Sequence, residues 1–135
     1  MRDVSLAAML ASVRAGPGPA PLRVLIVDDS ELFRRAARTV LEQDGVRVVG
    51  TASSSMEALR LTAELQPDVV LVDIDLGHES GFDLAHRLAA RDAPVVLISA
   101  YPASEFADLI AASPAAGFVP KSELSAGAVM GLLGD

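Results

Sequence analysis

The sequence predicts an α/β fold built on a parallel sheet of five strands. Five short runs rich in aliphatic residues alternate with segments of helical period, and this alternation is typical of parallel α/β sheets. Three of the runs are almost wholly apolar, as expected of strands that helices cover on both faces. With 135 residues and 51% hydrophobic content, the chain has the size of one domain with one core.

The strands are predicted at residues 22–28, 46–51, 68–73, 94–99 and 115–119. The second run is interrupted by Arg47, so it belongs nearer an edge of the sheet, whereas the first belongs inside it.

The first helix begins after Ser30, which can cap it, and ends at Gly45; its apolar residues at helical spacing are Leu32, Ala36, Val40 and Leu41. The other helices are predicted at 53–65, 82–90, 103–112 and 122–133, with Ser53, Ser54 or Ser55 as the cap of the second. Gly127 and Gly131 weaken the last helix.

Residues 1–21 are predicted to be an N-terminal extension, and residues 22–135 a single domain. Residues 16–21 alternate glycine, alanine and proline and form a linker. Two interpretations of the preceding segment stay open: a frayed extension, or a short amphipathic helix that docks or forms a homodimer. The helical stripe consists of Val4, Ala7, Ala8, Leu10 and Val13.

The composition argues against several classes of protein. A net charge of −7 with a single lysine disfavours binding to nucleic acid or anionic membranes, because phosphate contacts need clustered basic residues. The chain has no cysteine and only two isolated histidines, so neither a disulfide framework nor a zinc site is expected. We expect no membrane insertion, and a reducing cytoplasm as the compartment.

Four of the predicted strands end in residues that can do chemistry. The ends carry Asp28 with Asp29, then Asp73, Ser99 and Lys121. Because the carboxyl ends of parallel strands meet at one edge of a sheet, these side chains are expected to share a site.

The residue types in this site favour phosphoryl transfer with a divalent metal. Three clustered acids either raise a pKa or recruit a cation, and Mg²⁺ prefers oxygen ligands. Asp73 could attack phosphorus, while Ser99 and Lys121 stabilise phosphoryl oxygens. Each residue also has an ordinary structural interpretation. Asp73 could simply open a loop, the Ser99 hydroxyl could be hydrogen-bonded to backbone, and the Lys121 ammonium could be solvated. The occurrence of all three together favours the interpretation as a phosphoryl-transfer site.

With these residues in this order, the chain resembles the receiver domain of bacterial two-component response regulators, over roughly residues 22–133. The resemblance implies a flavodoxin-like, doubly wound sheet of order 2-1-3-4-5. It also implies that Asp73 accepts a phosphoryl group from a histidine kinase or phosphotransfer protein. Mg²⁺ would be held by Asp28, Asp29, Asp73 and the backbone carbonyl of Asp75, with Lys121 completing the site.

By the same resemblance, Ser99 and Phe118 are the switch residues, and Asp75 and Tyr101 tune hydrolysis of the phosphoryl group. From its bulk we expect Tyr101 to shield that group and slow hydrolysis. Gly77 stands where most receivers have proline, so the loop from 76 to 80 should be loosened, with Gly81 adding freedom at its far end.

Ser122 follows Lys121 where receivers usually have proline, and residues 119–124 resemble receivers that carry a helix-turn-helix output domain. Only residues 122–135 follow the lysine, so a stand-alone regulator is expected, not an enzyme, with its output made through a protein partner.

Three other functions are alternatives to this one. Asp73 and Asp75 resemble the paired aspartates of haloacid dehalogenase-type phosphatases, but Gly77 replaces the expected hydroxyl residue. A nucleotide-binding domain lacks support, since no glycine-rich phosphate loop follows the first strand. A receiver-like interaction module that is never phosphorylated would be separated from a true receiver by metal-dependent phosphorylation.

Overall fold

The computed structural model describes residues 20–134, so the interpretation of residues 4–13 as a helix lies outside the described residues. The main sheet has five parallel strands in the order 2-1-3-4-5, which confirms the predicted flavodoxin-like fold. These strands are β1 (Arg23–Val27), β2 (Arg47–Ala52), β3 (Val69–Asp73), β4 (Val95–Ser99) and β5 (Gly117–Pro120).

The helices cover both faces of this sheet and create two apolar layers. They are α1 (Glu31–Gln43), α2 (Ser55–Leu65), α3 (Gly81–Ala89), α4 (Ala107–Ala112) and α5 (Ala126–Leu132). Leu59 of α2 and Leu84 of α3 belong to one buried cluster, and Leu41 of α1 and Val129 of α5 to the other. β3 and β4 are buried along their whole length, as their continuous apolar sequence predicted.

The N-terminal caps follow the predicted serines. Ser30 Oγ accepts the Phe33 amide 3.2 Å away at the start of α1. At α2, Ser54 is the residue among the three candidates that caps the helix, because its Oγ accepts the amide of Glu57.

The buried face of α1 shares only Leu41 with the predicted stripe. Leu32 is 79% exposed and Val40 40% exposed, whereas Ala37 and Leu41 are buried. Phe33 is half-buried against the same core, so the helix is rotated by about one residue from the predicted phase.

Two helices begin four residues later than predicted. Residues 103–106 form a 3₁₀ turn and α4 starts only at Ala107, because the backbone of Phe106 leaves the helical region at φ −132°. The predicted helix at 122–133 is likewise shortened: a 3₁₀ turn spans Lys121–Glu123, and α5 starts at Ala126 after its cap Ser125. The extended backbone at Leu124 separates the two segments.

Candidate functional site

Three carboxylates meet at the carboxyl edge of the sheet, as the strand ends predicted. Asp28 and Asp29 follow β1 and Asp73 ends β3, and each offers a carboxylate oxygen within 4.8 Å of the other two. Asp28 and Asp73 are buried, while Asp29 is exposed. We call these three residues the acid cluster.

The single lysine of the chain reaches into the acid cluster from the end of β5. Its Nζ lies 2.6 Å from Asp28 Oδ2 and donates a hydrogen bond to Asp73 Oδ2 at 3.0 Å. The ammonium of Lys121 also lies 4.3 Å from the centroid of the Phe33 ring, which is a cation–π contact. Lys121 is therefore held between two acids and one aromatic face.

Burial dominates the electrostatics of Asp73. Removal from water, aided by the charge of Asp28, raises the pKa of Asp73 to about 6, although the Asp75 amide and Lys121 favour its ionised form. Burial lowers the pKa of Lys121, but the contacts to Asp28 and Asp73 outweigh it and leave that pKa above its ordinary value. Lys121 is therefore a permanent cation of this site at neutral pH.

The acid cluster fits a divalent cation with oxygen ligands. Asp28 Oδ2 is buried and lies 2.6 Å from Lys121 Nζ, with which it forms an ion pair. One lysine cannot neutralise three acids, so negative charge remains for a cation whose preferred ligands are carboxylate oxygens. The residues present therefore fit Mg²⁺ or a similar ion.

The segment after β3 is an ordered two-stranded hairpin rather than the loosened loop that Gly77 predicted. Asp75–Leu76 pairs with Glu79–Ser80 in antiparallel fashion, and we call this unit the loop hairpin. Asp75 Oδ1 accepts the Gly77 amide at 3.1 Å. Gly77 adopts a φ of +75°, and a Cβ there would lie 3.1 Å from Asp29 Oδ2. Glycine therefore permits both the turn and the approach of Asp29.

Glycine is needed at position 81 because the packing leaves no space for a side chain, not because the backbone needs conformational freedom. A Cβ at this position would overlap the Asp73 carbonyl oxygen and lie 2.7 Å from Ile74 Cα. The Gly81 amide donates to the Ile74 carbonyl at 2.9 Å, so the start of α3 is packed directly on the end of β3. The expectation that Gly81 loosens the loop was wrong for this steric reason.

The proposed switch residues lie on the two strands that follow β3 in the sheet, Ser99 at the end of β4 and Phe118 in β5. Ser99 is buried at the end of β4, where its Oγ accepts the Tyr101 amide at 2.9 Å. Tyr101 is 55% exposed, and its ring centroid lies 6.5 Å from that of Phe106. Phe118 in β5 is half-buried against the core layer of α2 and α3. Tyr101 and the loop hairpin border a groove of about 340 Å³.

Sequence reasoning missed three residues that support the site. Phe33 contacts Lys121, and Arg34 Nη1 donates to the backbone carbonyl of Asp28 at 2.6 Å. Glu79 Oε1 accepts the amide of Ser55 at 2.8 Å. The helical period of α1 would have indicated Phe33 as an inward-facing residue only if the phase of the helix had been known. The contact between Glu79 and Ser55 follows no local sequence pattern, so it could not be predicted.

Fold and site together define a doubly wound α/β domain that holds acids and a lysine at the carboxyl edge of its sheet. Comparison with known proteins agrees with this class. Residues 24–127 match the family model described as response regulator receiver domain. The chain belongs to this family, and the predicted resemblance is confirmed.

Relatives and solved structures share the domain. The transcription regulator BvgA of Bordetella pertussis is 34% identical over 75% of this chain and 49% of its own length. A protein-glutamate methylesterase/protein-glutamine glutaminase of Hahella chejuensis is 40% identical over 57% of this chain and 22% of its own length. The signal receiver domain of NarL from Mycobacterium tuberculosis is 30% identical, with a TM-score of 0.76, over 87% of this chain and all (100%) of that one.

The chain therefore spans between about a fifth and a half of the length of these curated relatives (22% and 49%). A helix long and apolar enough to cross a membrane is absent from residues 20–134.

Proposed function

We propose that this chain receives a phosphoryl group on Asp73 from a histidine kinase or phosphotransfer protein, in a reaction that depends on Mg²⁺. The observation that carries the proposal is the contact between the buried carboxylate of Asp73 and Lys121 beside two further acids. A response regulator from Burkholderia pseudomallei, 25% identical over 83% of this chain with a TM-score of 0.70, was solved with a phosphorylated aspartic acid and a calcium ion.

The chemistry needs positioning and charge rather than a strong base. A carboxylate oxygen of Asp73 forms the new bond to phosphorus, and the bond from phosphorus to the donor's nitrogen breaks. The Asp75 amide, 3.1 Å from Asp73 Oδ1, fixes the carboxylate, while Lys121 faces Oδ2. When bound, Mg²⁺ would neutralise phosphoryl oxygens; its ligands would be Asp28, Asp29, Asp73 and the Asp75 carbonyl.

The readout of phosphorylation is proposed for Ser99 and Phe118. The Ser99 hydroxyl, which accepts the Tyr101 amide, would turn its proton towards a phosphoryl oxygen, and the half-buried Phe118 would move further inward. Asp75 and Tyr101 line the groove beside the loop hairpin and would set how fast water removes the phosphoryl group. Lys121, which contacts Asp73 Oδ2, would stabilise the group.

We further propose that the output of this receiver is phosphorylation-controlled protein binding in the cytoplasm, with residues 1–21 as an extension of the domain at 22–135. The net charge of −7 supports a protein partner over nucleic acid.

The deciding experiment measures intact mass after incubation with acetyl phosphate, with and without Mg²⁺. We expect one phosphoryl adduct that requires Mg²⁺ and disappears in Asp73→Asn. The matched control is Asp83→Asn, which removes an exposed carboxylate from α3 and should leave the adduct unchanged. An adduct that persists in Asp73→Asn would reject Asp73 as the acceptor, and no adduct at all would indicate an interaction module.

A further inference from the structure

The loop hairpin is attached to a helix that takes no part in the proposed chemistry. Glu79, in its second strand, extends towards α2, where its Oε1 accepts the amide of Ser55 at 2.8 Å. Ser55 is the first residue of α2, so its amide has no acceptor within the helix. Because Ser55 is buried, the Glu79 carboxylate satisfies this amide in place of water. A carboxylate is also favoured there by the dipole of this 11-residue helix.

The same hairpin touches the acid cluster on its other side. Its turn residue Gly77 lies so close to Asp29 that a Cβ would be 3.1 Å from the carboxylate. Its first residue, Asp75, donates its amide to Asp73 Oδ1. Displacement of the hairpin would therefore move groups that contact two of the three acids.

The hairpin has two anchors, and they differ in kind. Leu76 is 4% exposed and packs in the core layer of α2 and α3, which fixes the first strand. The second strand has the Glu79 carboxylate instead, and the side chain that follows, Ser80, caps α3. With only two residue pairs in the hairpin, the ladder alone is too short to be stable by itself.

From these contacts we propose that Glu79 is a positioning residue of the phosphorylation site: its hydrogen bond to the Ser55 amide clamps the loop hairpin to α2 and holds Asp75 and Gly77 against the acid cluster. The role of the clamp in metal binding rests on the proposed function. The clamp itself is a property of the metal-free protein, so the two are tested separately.

The first measurement is amide hydrogen exchange by NMR in the full, metal-free chain. In Glu79→Ala we expect exchange at Ser55 and at Gly77 to accelerate at least tenfold, while the β3 amide of Leu71 keeps its protection. Glu79→Gln keeps an acceptor oxygen and should restore most of the protection. The matched control is Glu64→Ala, which removes an exposed carboxylate from α2, the helix that begins at Ser55.

The second measurement is a Mg²⁺ titration of the same variants. We expect the Kd for Mg²⁺ to rise about tenfold in Glu79→Ala, the usual size of effect when support behind a metal ligand is lost, and to change less than twofold in Glu79→Gln and Glu64→Ala.

Three results would overturn the proposal. Acceleration at Ser55 alone would make Glu79 only a helix cap, and equal acceleration at Leu71 would make it a general stabiliser. A Glu79→Gln variant as impaired as Glu79→Ala would show that charge, not the hydrogen bond, acts. If the unaltered protein binds no Mg²⁺, the proposed function fails, and the exchange at Gly77 still decides the clamp.

Discussion

The buried carboxylate of Asp73 should destabilise the metal-free fold at neutral pH, and Asp73→Asn should relieve that cost. The pKa of this group rises from 3.8 to about 6 on folding, mainly because burial disfavours the charge. At about 1.36 kcal/mol for each pKa unit, the full shift corresponds to about 3 kcal/mol. Residual solvent screens part of it, so we expect the variant to be more stable by about 1 to 3 kcal/mol at pH 7.5.

The direction with pH follows from proton binding. The folded state holds the Asp73 proton more tightly than the unfolded state, so the native protein is favoured when Asp73 is protonated. The contribution of Asp73 to the free energy of unfolding should therefore fall as the pH rises from about 4 through about 6, and it should level off above about pH 6. Asparagine does not titrate, so the advantage of the variant should vanish near pH 4.

The assay is urea unfolding in the presence of a chelator at a series of pH values. The difference between Asp73→Asn and the unaltered chain isolates this one carboxyl group, because the other titrating groups are shared. Asp83→Asn, an exposed carboxylate on α3, should show no such difference. A variant that is less stable at pH 7.5, or an advantage that grows towards acid pH, would refute the reasoning.

Three further predictions concern the surroundings of Asp73. Gly81→Ala should lower the free energy of unfolding by more than about 3 kcal/mol in urea unfolding, because its Cβ meets backbone that cannot rotate away. Lys121 Nζ lies 4.3 Å from the centroid of the Phe33 ring, so the NMR signal of the lysine ¹³Cε should carry a ring-current shift. Phe33→Leu should remove this shift, whereas Phe33→Tyr should keep it. Tyr101→Ala should shorten the half-life of the phosphoryl group, measured as phosphate release; an unchanged or longer half-life would reject shielding.

The sheet and the acid cluster could be predicted because both depend on local patterns combined with one geometric rule. Apolar runs mark strands buried on both faces, and parallel strands bring their carboxyl ends to one edge. Asp28, Asp73 and Lys121 are far apart in sequence, yet each directly follows or ends such a run, and the structure brings them into contact. Nothing about tertiary packing was needed to place them together.

The supporting residues could not be predicted because their partners are set by packing. The phase of α1 decides whether Leu32 or Phe33 faces inward, and a one-residue rotation changes which side chain lies under the lysine. Gly77 and Gly81 illustrate the same limit. A sequence shows that glycine permits unusual backbone, but only the structure shows that the Asp29 carboxylate and the Asp73 carbonyl occupy the space a Cβ would need.

This distinction bears on how rigid the site is. A glycine-rich segment beside an active site is expected to be mobile when its glycines are free of close neighbours. Here both glycines have close neighbours, Leu76 is in the core, and Glu79 binds the start of α2. Each contact restricts the loop hairpin, so we expect the backbone around Asp73 to be preformed. Reception of a phosphoryl group should then require movement at Ser99 and Phe118, and not at the segment that carries Asp75.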